Sequence, residues 1–265
     1  TPAGEQVIKK AGEILGQVNS IKQVAQEFRD EKKGQLSIAT THTQARYALP
    51  PVIDQFISDY PEVGLQLHQG TPLQIAELAS DGQVDFAIAT EALEHFSDLV
   101  MLPCYQWNRC IVVPKGHPLL SIERVTLADV AAHRIVTYVF GFTGRSKLDE
   151  AFDEAGLEPR VVFTATDADV IKTYVRLGLG IGIMAKMAFD EDKDDDMVAI
   201  DASHLFESST TMIGFRRGTF LRGYMYEFMQ LFAPHLTKER VVASFEAVDQ
   251  TAVDQVFAEL ALPLR

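Results

Sequence analysis

The first thirty residues carry an apolar heptad repeat. It comprises Val7, Ile14, Ile21 and Phe28 at one position of the heptad and Ala11, Val18 and Ala25 at another. This spacing is typical of the d and a positions in a two-helix coiled coil. A lone helix with this pattern would expose an apolar stripe to water. We therefore expect residues 1–33 to form a linker helix through which the chain dimerises, and the pattern leaves open whether dimers pair into a tetramer.

Charge and length limit what the rest of the chain does. The 265 residues are 47% hydrophobic, enough for one large domain or two smaller ones. Asp and Glu total 37 against 24 Lys and Arg, a net charge of -13, which disfavours attraction to a phosphate backbone. No apolar run reaches the roughly 18 residues of a membrane span, and no basic-then-apolar leader is visible. We expect a cytoplasmic protein without a membrane partner.

Strand-like and helix-like segments alternate from residue 34 onward. This alternation predicts an α/β fold in which helices cover both faces of parallel sheets. Two Rossmann-like subdomains fit the pattern: subdomain I over 34–105 and 208–236, and subdomain II over 106–207, followed by a tail over 237–265. The predicted strands are 35–39, 63–68, 85–90, 99–103, 107–113, 135–138, 160–165, 181–184 and 210–217.

Three predicted strands end in small hydroxyl residues. The three turns are 40–44, the position of Thr90, and 141–146. In open α/β sheets, ligands bind beyond the carboxyl ends of the strands, where helix N-termini present unpaired N–H groups. A hydrogen bond to a charged group contributes about 1.5–3 kcal/mol, so several hydroxyls together suffice to hold a small anion. The alternative is that these threonines are ordinary helix N-caps.

Catalytic and cofactor motifs are missing from the sequence. It contains no Gly-x-Ser-x-Gly elbow, His-Glu-x-x-His helix or Walker loop. His42 lies between two threonines, but adjacent side chains of a helix or turn diverge. The glycines of 178–182 lie between a helix and a strand, which favours tight packing over a dinucleotide loop. We expect no catalytic residues, no cofactor and no metal.

Two further features have structural explanations. Cys104 and Cys110 lie in apolar, strand-like surroundings, which predicts buried reduced thiols. The acidic run 190–196 lacks the ligand spacing of a calcium loop, so we expect a solvated surface turn.

Long blocks of the sequence resemble the CysB-like subfamily of LysR-type transcriptional regulators. The blocks are 39–50 (ATTHTQARYALP), 86–93, 100–105, 141–146 and 163–178, and the similarity extends over the whole chain. Closely related sulfur-assimilation regulators share many of these blocks. The resemblance implies a winged helix-turn-helix, a linker helix and two periplasmic-binding-protein-like subdomains with an effector cleft. Because residues 1–4 resemble the end of the wing-to-linker junction, we expect the DNA-reading head to lie outside this sequence.

The resemblance also implies an effector and its site. Members of the subfamily accommodate a sulfate-sized anion, with N-acetylserine or O-acetylserine as inducer and sulfide or thiosulfate as opposing signals. At the matching positions we expect Thr41, Thr43 and Gln44 to grip the anionic group. Thr90 and Thr143 would close from across the cleft, with Trp107 as an apolar wall. Tyr105 and Thr166 are additional candidates with packing or capping as their alternative roles.

Transcriptional sensing is therefore the leading hypothesis. It implies that promoter DNA is bound through the absent N-terminal domain, and it leaves open activation or repression at a given promoter. A periplasmic-type receptor for sulfate or another anion shares the cleft architecture, but it has no use for the heptad repeat and requires a leader. A hydrolase acting on acetyl groups is the third possibility.

Overall fold

A computed structural model describes residues 1, 3–4, 7–8, 10–12, 14, 18, 32–142 and 144–265. The described residues between 3 and 18 are helical. Among them, Val7, Ile8, Ile14 and Val18 are 67%, 74%, 60% and 39% exposed. Apolar side chains of the heptad repeat therefore face solvent in the single chain. Ile21, Ala25 and Phe28 lie outside the described residues, and dimerisation through this helix stays a prediction.

The chain forms two compact units. Unit 1 comprises Thr1–Cys104 and Thr211–Leu262, and unit 2 comprises Tyr105–Thr210 and Pro263–Arg265. These limits lie beside the boundaries expected from the sequence, 105/106 and 207/208. Residues 237–262, set apart above as a tail, are in unit 1.

Unit 1 is built on a five-stranded sheet of order β2-β1-β3-β10-β4. Both β2 and β3 run parallel to β1, whereas β10 runs antiparallel to β3, so the sheet is mixed and not wholly parallel as expected. The strands are β1 (Gly34–Thr40), β2 (Val63–Gln69), β3 (Phe86–Ala89), β4 (Leu99–Trp107) and β10 (Ser209–Arg216). The helices are α1 (Pro50–Asp59), α2 (Pro72–Ser80), α6 (Gly223–Phe232), α7 (Lys238–Glu246) and α8 (Gln250–Phe257).

Unit 2 is built on a second mixed sheet, of order β7-β6-β8-β5-β9. Strand β6 is parallel to β7 and β8, and β5 is antiparallel to β8 and β9. The strands are β5 (Arg109–Pro114), β6 (Arg134–Tyr138), β7 (Arg160–Ala165), β8 (Ile181–Ala185) and β9 (Met197–Asp201). The helices are α3 (Leu127–Ala131), α4 (Arg145–Glu154) and α5 (Ala168–Arg176). Strand β9, which follows directly on the acidic run, was not among the predicted strands.

Each unit has its own apolar core. In unit 1, the rings of Phe56 and Phe86 pack against Phe228 with centroids 5.5 and 6.0 Å apart. In unit 2, Phe152 packs against Phe206 at 6.1 Å within a cluster of buried aliphatic side chains. Aromatic pairs at such distances add to the stabilisation from area burial alone.

The glycine run 178–182 packs a helix against a strand, as predicted. A Cβ atom at Gly180 would lie 2.2 Å from the Arg134 carbonyl oxygen. At Gly182 it would lie 2.9 Å from Val175 and 3.2 Å from Ile171, both on α5. Only glycine allows these approaches, so the run serves close packing of α5 on the sheet.

The two cysteines are buried thiols, which confirms the prediction. The Cys104 sulfur lies 3.5 Å from the Leu102 carbonyl oxygen. Burial raises the pKa of Cys110 to about 12, and the Lys186 charge only partly opposes this rise. The Cys110 thiol is therefore protonated at neutral pH.

The acidic run is not the fully solvated turn that the sequence suggested. Asp194 is only 3% exposed, and its carboxylate pairs with Lys172 at 2.9 Å and Arg176 at 2.8 Å. Lys172 is itself 6% exposed and also donates to the Ala188 carbonyl oxygen at 3.0 Å. One aspartate of the run therefore ties its loop to α5 through a buried ion pair.

The helices from α1 to α8 span 5 to 10 residues. A membrane-spanning helix needs about 20 predominantly apolar residues. Within the described part of the chain, no helix has the length and apolar character to cross a bilayer.

Candidate functional site

The carboxyl edge of the sheet in unit 1 brings several predicted site residues together. Thr40, the last residue of β1, is in register with Gln69 of β2 and Ile88 of β3. The chain therefore leaves β1, β2 and β3 at one edge, through 41–44, 70–71 and 90. Antiparallel pairing of Met212 with Ala89 places the start of β10 at this same edge. Ligands of open α/β sheets bind at such an edge.

A wide helical turn follows β1. The Ala45 N–H donates to the Thr41 carbonyl oxygen at 3.0 Å, and the Leu49 N–H reaches back five residues to Gln44 at 2.9 Å. This wider i→i+5 spacing covers Gln44–Ala48, and α1 then begins at Pro50. Proline suits that first position because its missing N–H would have no intrahelical acceptor. The two prolines therefore occupy the first positions of α1.

Thr43 carries a buried hydroxyl that bonds to nothing the structure describes. Its residue is 1% exposed, and its Oγ1 has no hydrogen-bond partner among the described residues. It makes no capping bond, whereas Thr71 of the same sheet edge caps α2 by accepting the Gln74 N–H at 3.1 Å. Thr71 is therefore an ordinary N-cap, whereas the N-cap alternative does not describe Thr43. An unsatisfied buried hydroxyl costs free energy that a bound acceptor would recover.

The same turn also contains backbone donors. The N–H groups of a first helical turn have no intrahelical acceptor and carry the partial positive charge of the helix dipole. Thr41, at the end of β1, is 6% exposed and precedes this turn. The Thr41–Thr43 segment therefore combines hydroxyl and N–H donors at the edge where an anion is favoured.

Gln44 fixes the turn to β10. It is 2% exposed, and its Nε2 donates to Thr211 Oγ1 at 3.1 Å. Thr211 is fully buried, and sequence reasoning missed it because a threonine within a strand has no distinguishing local signal. Thr90, which follows β3, lies partly exposed at the same edge.

The remaining candidates belong to the residues of unit 2, with Tyr105 and Trp107 at the end of β4. Trp107 and Tyr105 are fully buried, and Thr166 is exposed between β7 and α5. The Arg109 guanidinium lies 5.1 Å from the centroid of the Trp107 ring, within cation–π range. The Arg265 guanidinium lies 4.5 Å from the centroid of the Tyr105 ring. Both aromatic rings therefore have a cationic neighbour that the sequence did not predict.

Arg109 also supports the turn that was expected to carry Thr143. It is 3% exposed and donates to the carbonyl oxygens of Gly144, at 2.5 Å, and Glu207, at 2.8 Å. It further donates to Ser209 Oγ at 2.9 Å. Gly144 adopts φ +71°, and a Cβ there would lie 2.0 Å from Arg109 Nη2. Thr143 itself lies outside the described residues.

Comparison with known proteins gives a consistent result. Residues 29–237 match the family model of the LysR substrate binding domain. The transcriptional regulator CysB of Haemophilus influenzae is 52% identical over 262 residues, 99% of this chain and 81% of that protein. The regulator SsuR of Burkholderia cenocepacia is 50% identical over 241 residues, 91% of this chain and 78% of that protein.

A solved structure agrees with these relatives. The cofactor-binding domain of the Cbl transcriptional regulator superposes with a TM-score of 0.78 at 43% identity, covering 81% of this chain and 95% of that one. The fold of two mixed α/β units is the fold that the family match implies. The chain therefore belongs to the LysR-type transcriptional regulators, with CysB, SsuR and Cbl among its relatives.

Proposed function

We propose that this chain is the effector-sensing and oligomerisation region of a regulator of sulfur assimilation and cysteine biosynthesis genes. The effector is a small anion: sulfate, thiosulfate, or the carboxylate of N-acetylserine or O-acetylserine. The observation that carries the proposal is the buried Thr43 hydroxyl, which has no hydrogen-bond partner among the residues that the structure describes and lies at the carboxyl edge of a sheet and the start of a helical turn. The CysB, SsuR and Cbl relatives favour the sulfur-linked effectors over other anions.

Local donors must hold such an anion, because the chain as a whole repels it. The net charge is -13, so long-range attraction is absent. The Thr41 and Thr43 hydroxyls and the N–H groups of the turn supply short-range hydrogen bonds instead. Two or three bonds at about 1.5–3 kcal/mol each correspond to affinities from the millimolar to the micromolar range. Thr90, Thr143 and Trp107 stay as the proposed further contacts.

The other parts of the proposal follow from the same assignment. The family relatives are longer than this chain, and we assign promoter binding to a DNA-binding domain of the full-length regulator. The net negative charge of this chain supports the assignment, because it disfavours binding to a phosphate backbone. The protein would act in the cytoplasm, assemble through the heptad repeat and catalyse no reaction on its effector.

Calorimetric titration tests the proposal directly. Sulfate, thiosulfate, N-acetylserine and O-acetylserine are titrated into the wild-type chain and into the Thr43→Ala variant. At least one ligand should bind the wild type, and loss of one bond to a charged group should weaken it about 10- to 100-fold. Thr71→Ala is the control, since it removes a hydroxyl from the same sheet edge that is already bonded to Gln74. No heat with any of the four ligands and a folded sample would reject the sulfur assignment.

The absence of turnover is tested separately. O-Acetylserine is incubated with the protein, and free acetate is measured against a buffer blank. We expect the two rates to be equal. Release above the blank that disappears in Thr43→Ala would instead favour the acetyl-group hydrolase.

A further inference from the structure

A short segment at the start of β1 is held by two side chains that are distant in the sequence. This segment, Lys33, Gly34 and Gln35, is called the junction below. Arg222 Nη1 donates to the Lys33 carbonyl oxygen at 3.0 Å, and the Tyr224 hydroxyl donates to the Gln35 carbonyl oxygen at 2.9 Å. Arg222 Nη1 also donates to the Tyr224 oxygen at 3.2 Å. The two side chains therefore form one clamp on two backbone carbonyls.

The clamp is closely packed. Both Arg222 and Tyr224 are 1% exposed. The Tyr224 ring contacts Phe56 and Tyr60 of the α1 region, with centroids 6.4 and 6.3 Å away. A Cβ at Gly34 would lie 2.2 Å from Arg222 Nη1 and 2.6 Å from the Tyr224 oxygen, so only glycine fits beneath the clamp. Burial of a cation and of a tyrosine hydroxyl against backbone is costly unless their bonds are made.

Burial keeps the Tyr224 hydroxyl protonated and able to donate. Burial raises the pKa of Tyr224 above its ordinary value, and the Asp85 carboxylate raises it further, while Arg222 opposes the rise. The hydroxyl is therefore protonated across physiological pH. Asp85 also bonds to β1, since its Oδ2 accepts the Ser37 N–H at 2.8 Å.

The same two segments of chain meet at the clamp and at the candidate site. Strand β1 runs from the junction to Thr40, over about 23 Å at 3.3 Å per residue. Strand β10 begins beside the site, where Thr211 accepts from Gln44, and the chain continues to Arg222. A displacement of the turn after β1 would therefore reach the junction through β1, and Arg222 through β10 and the chain that follows it.

We propose that Arg222 and Tyr224 are positioning residues that hold the junction against the rest of unit 1 and limit its local opening. This role rests on the proposed effector-sensing function. The clamp is the point where the effector's action on the candidate site reaches the junction.

Limited trypsin digestion tests the clamp, because Lys32 and Lys33 place cleavable bonds at the junction. Tyr224→Phe removes the hydroxyl and both of its bonds. We expect cleavage after Lys32 or Lys33, identified by mass spectrometry, to be about five-fold faster than in the wild type, as for the loss of the one hydrogen bond that the Tyr224 hydroxyl makes to the junction. Tyr226→Phe is the control, since that tyrosine lies on the same helix with its ring 5.4 Å from Lys238.

Hydrogen exchange separates a local effect from a global one. Faster exchange at residues 33–36 with unchanged exchange in β2 and β3 supports the clamp. Equal cleavage in the two tyrosine variants would overturn the proposal, and so would uniform acceleration over all of unit 1. Arg222→Lys is a second variant, expected to act like Tyr224→Phe because lysine lacks the guanidinium fork.

Thiosulfate at saturating concentration tests the link to the effector. It should change the cleavage rate at the junction of the wild type. In Tyr224→Phe this change should disappear while the calorimetric affinity stays within two-fold of the wild-type value, a difference that loss of rigidity alone would not produce. A thiosulfate response that persists in the variant would overturn the link. Failure of thiosulfate and the other three ligands to bind would reject the proposed function, whereas the digestion without ligand still decides the clamp.

Discussion

Thr43 has a buried hydroxyl for which the described part of the chain provides no acceptor or donor. The residue is 1% exposed, and its neighbours in the turn, Thr41 and Gln44, are also buried. Such an arrangement lowers the stability of the free protein and favours a partner that supplies the missing bond. The Thr43 hydroxyl therefore destabilises the free protein and would stabilise a complex with a partner that bonds to it.

Thr43→Val separates these two effects. Valine keeps the shape and removes the unsatisfied hydroxyl, so the free energy of unfolding without ligand should rise by about 1 kcal/mol. Binding of the effector should weaken as in Thr43→Ala. Urea unfolding and calorimetry measure the two quantities, with Thr43→Ser as the control that keeps the hydroxyl. Lower stability for Thr43→Val would show that the hydroxyl is satisfied in solution.

Cys110 gives a second prediction for a single residue. Burial raises its pKa to about 12, so the reactive thiolate is nearly absent at pH 8. Iodoacetamide should not label the native protein at Cys110 within an hour, and urea should allow full labelling. Mass spectrometry of the digested protein gives the result. Rapid labelling of the folded protein at this position would contradict the burial that the structure shows.

Among the secondary-structure elements, α5 and the acidic loop after β8 form one ionic network. Lys172 and Arg176 of α5 pair with Asp194, and Arg176 also pairs with Asp196 at 2.8 Å. Burial raises the pKa of Asp194, but bonds from Lys172, the Asp190 N–H and Arg176 outweigh this, so its net pKa lies below the ordinary 3.8. The loop is therefore held by the negative charge of Asp194, which is present only above the lowered pKa of this carboxyl group.

Asp194→Asn should be strongly destabilising. It leaves buried Lys172 without its main counter-charge, and breaking a buried pair in this way costs about 3–5 kcal/mol. Because the folded pKa is depressed, the carboxylate stabilises the protein above about pH 4, and this stabilisation is lost as pH falls through the folded pKa. Urea unfolding between pH 7 and pH 3 should therefore show the two proteins converging at acid pH.

The exposed pair of Lys186 and Asp201 provides the matched control. Its side chains are 57% and 50% exposed, so Asp201→Asn should change the free energy of unfolding by less than about 1 kcal/mol. Equal effects of the two substitutions would show that burial of Asp194 does not determine its contribution.

For the whole molecule, net charge and exposed apolar surface have opposite effects on association between chains. A net charge of -13 keeps chains apart, whereas the exposed Val7, Ile8, Ile14 and Val18 favour association along the N-terminal helix. The heptad spacing gives that association a specific geometry. We expect the specific contact to prevail over general repulsion at physiological salt, where the Debye length is about 8 Å.

Ile14→Glu tests this assembly. Light scattering coupled to size exclusion should give a mass of at least two chains for the wild type and a smaller mass for the variant. Val248→Glu is the control, because that side chain is 91% exposed and lies outside the repeat. A single-chain mass for the wild type, or an unchanged mass for Ile14→Glu, would reject the heptad interface.

Local patterns of the sequence determined the strand and helix positions, the α/β class, the polar turn after β1 and the buried thiols. Such features depend on periodicity and on residues within a few positions of each other, which a sequence displays directly. The direction of β10, the length of β4 and the existence of β9 were not available in this way. They depend on pairing between strands far apart in the chain.

Tertiary structure alone decided which side chains meet. Gln44 reaches Thr211, Lys33 is held by Arg222, and Asp194 neutralises Lys172. In the first two pairs the residues lie 167 and 189 positions apart. No periodicity links such residues, because their contact is fixed by how whole sheets and helices pack and by the need of each buried polar group for a partner.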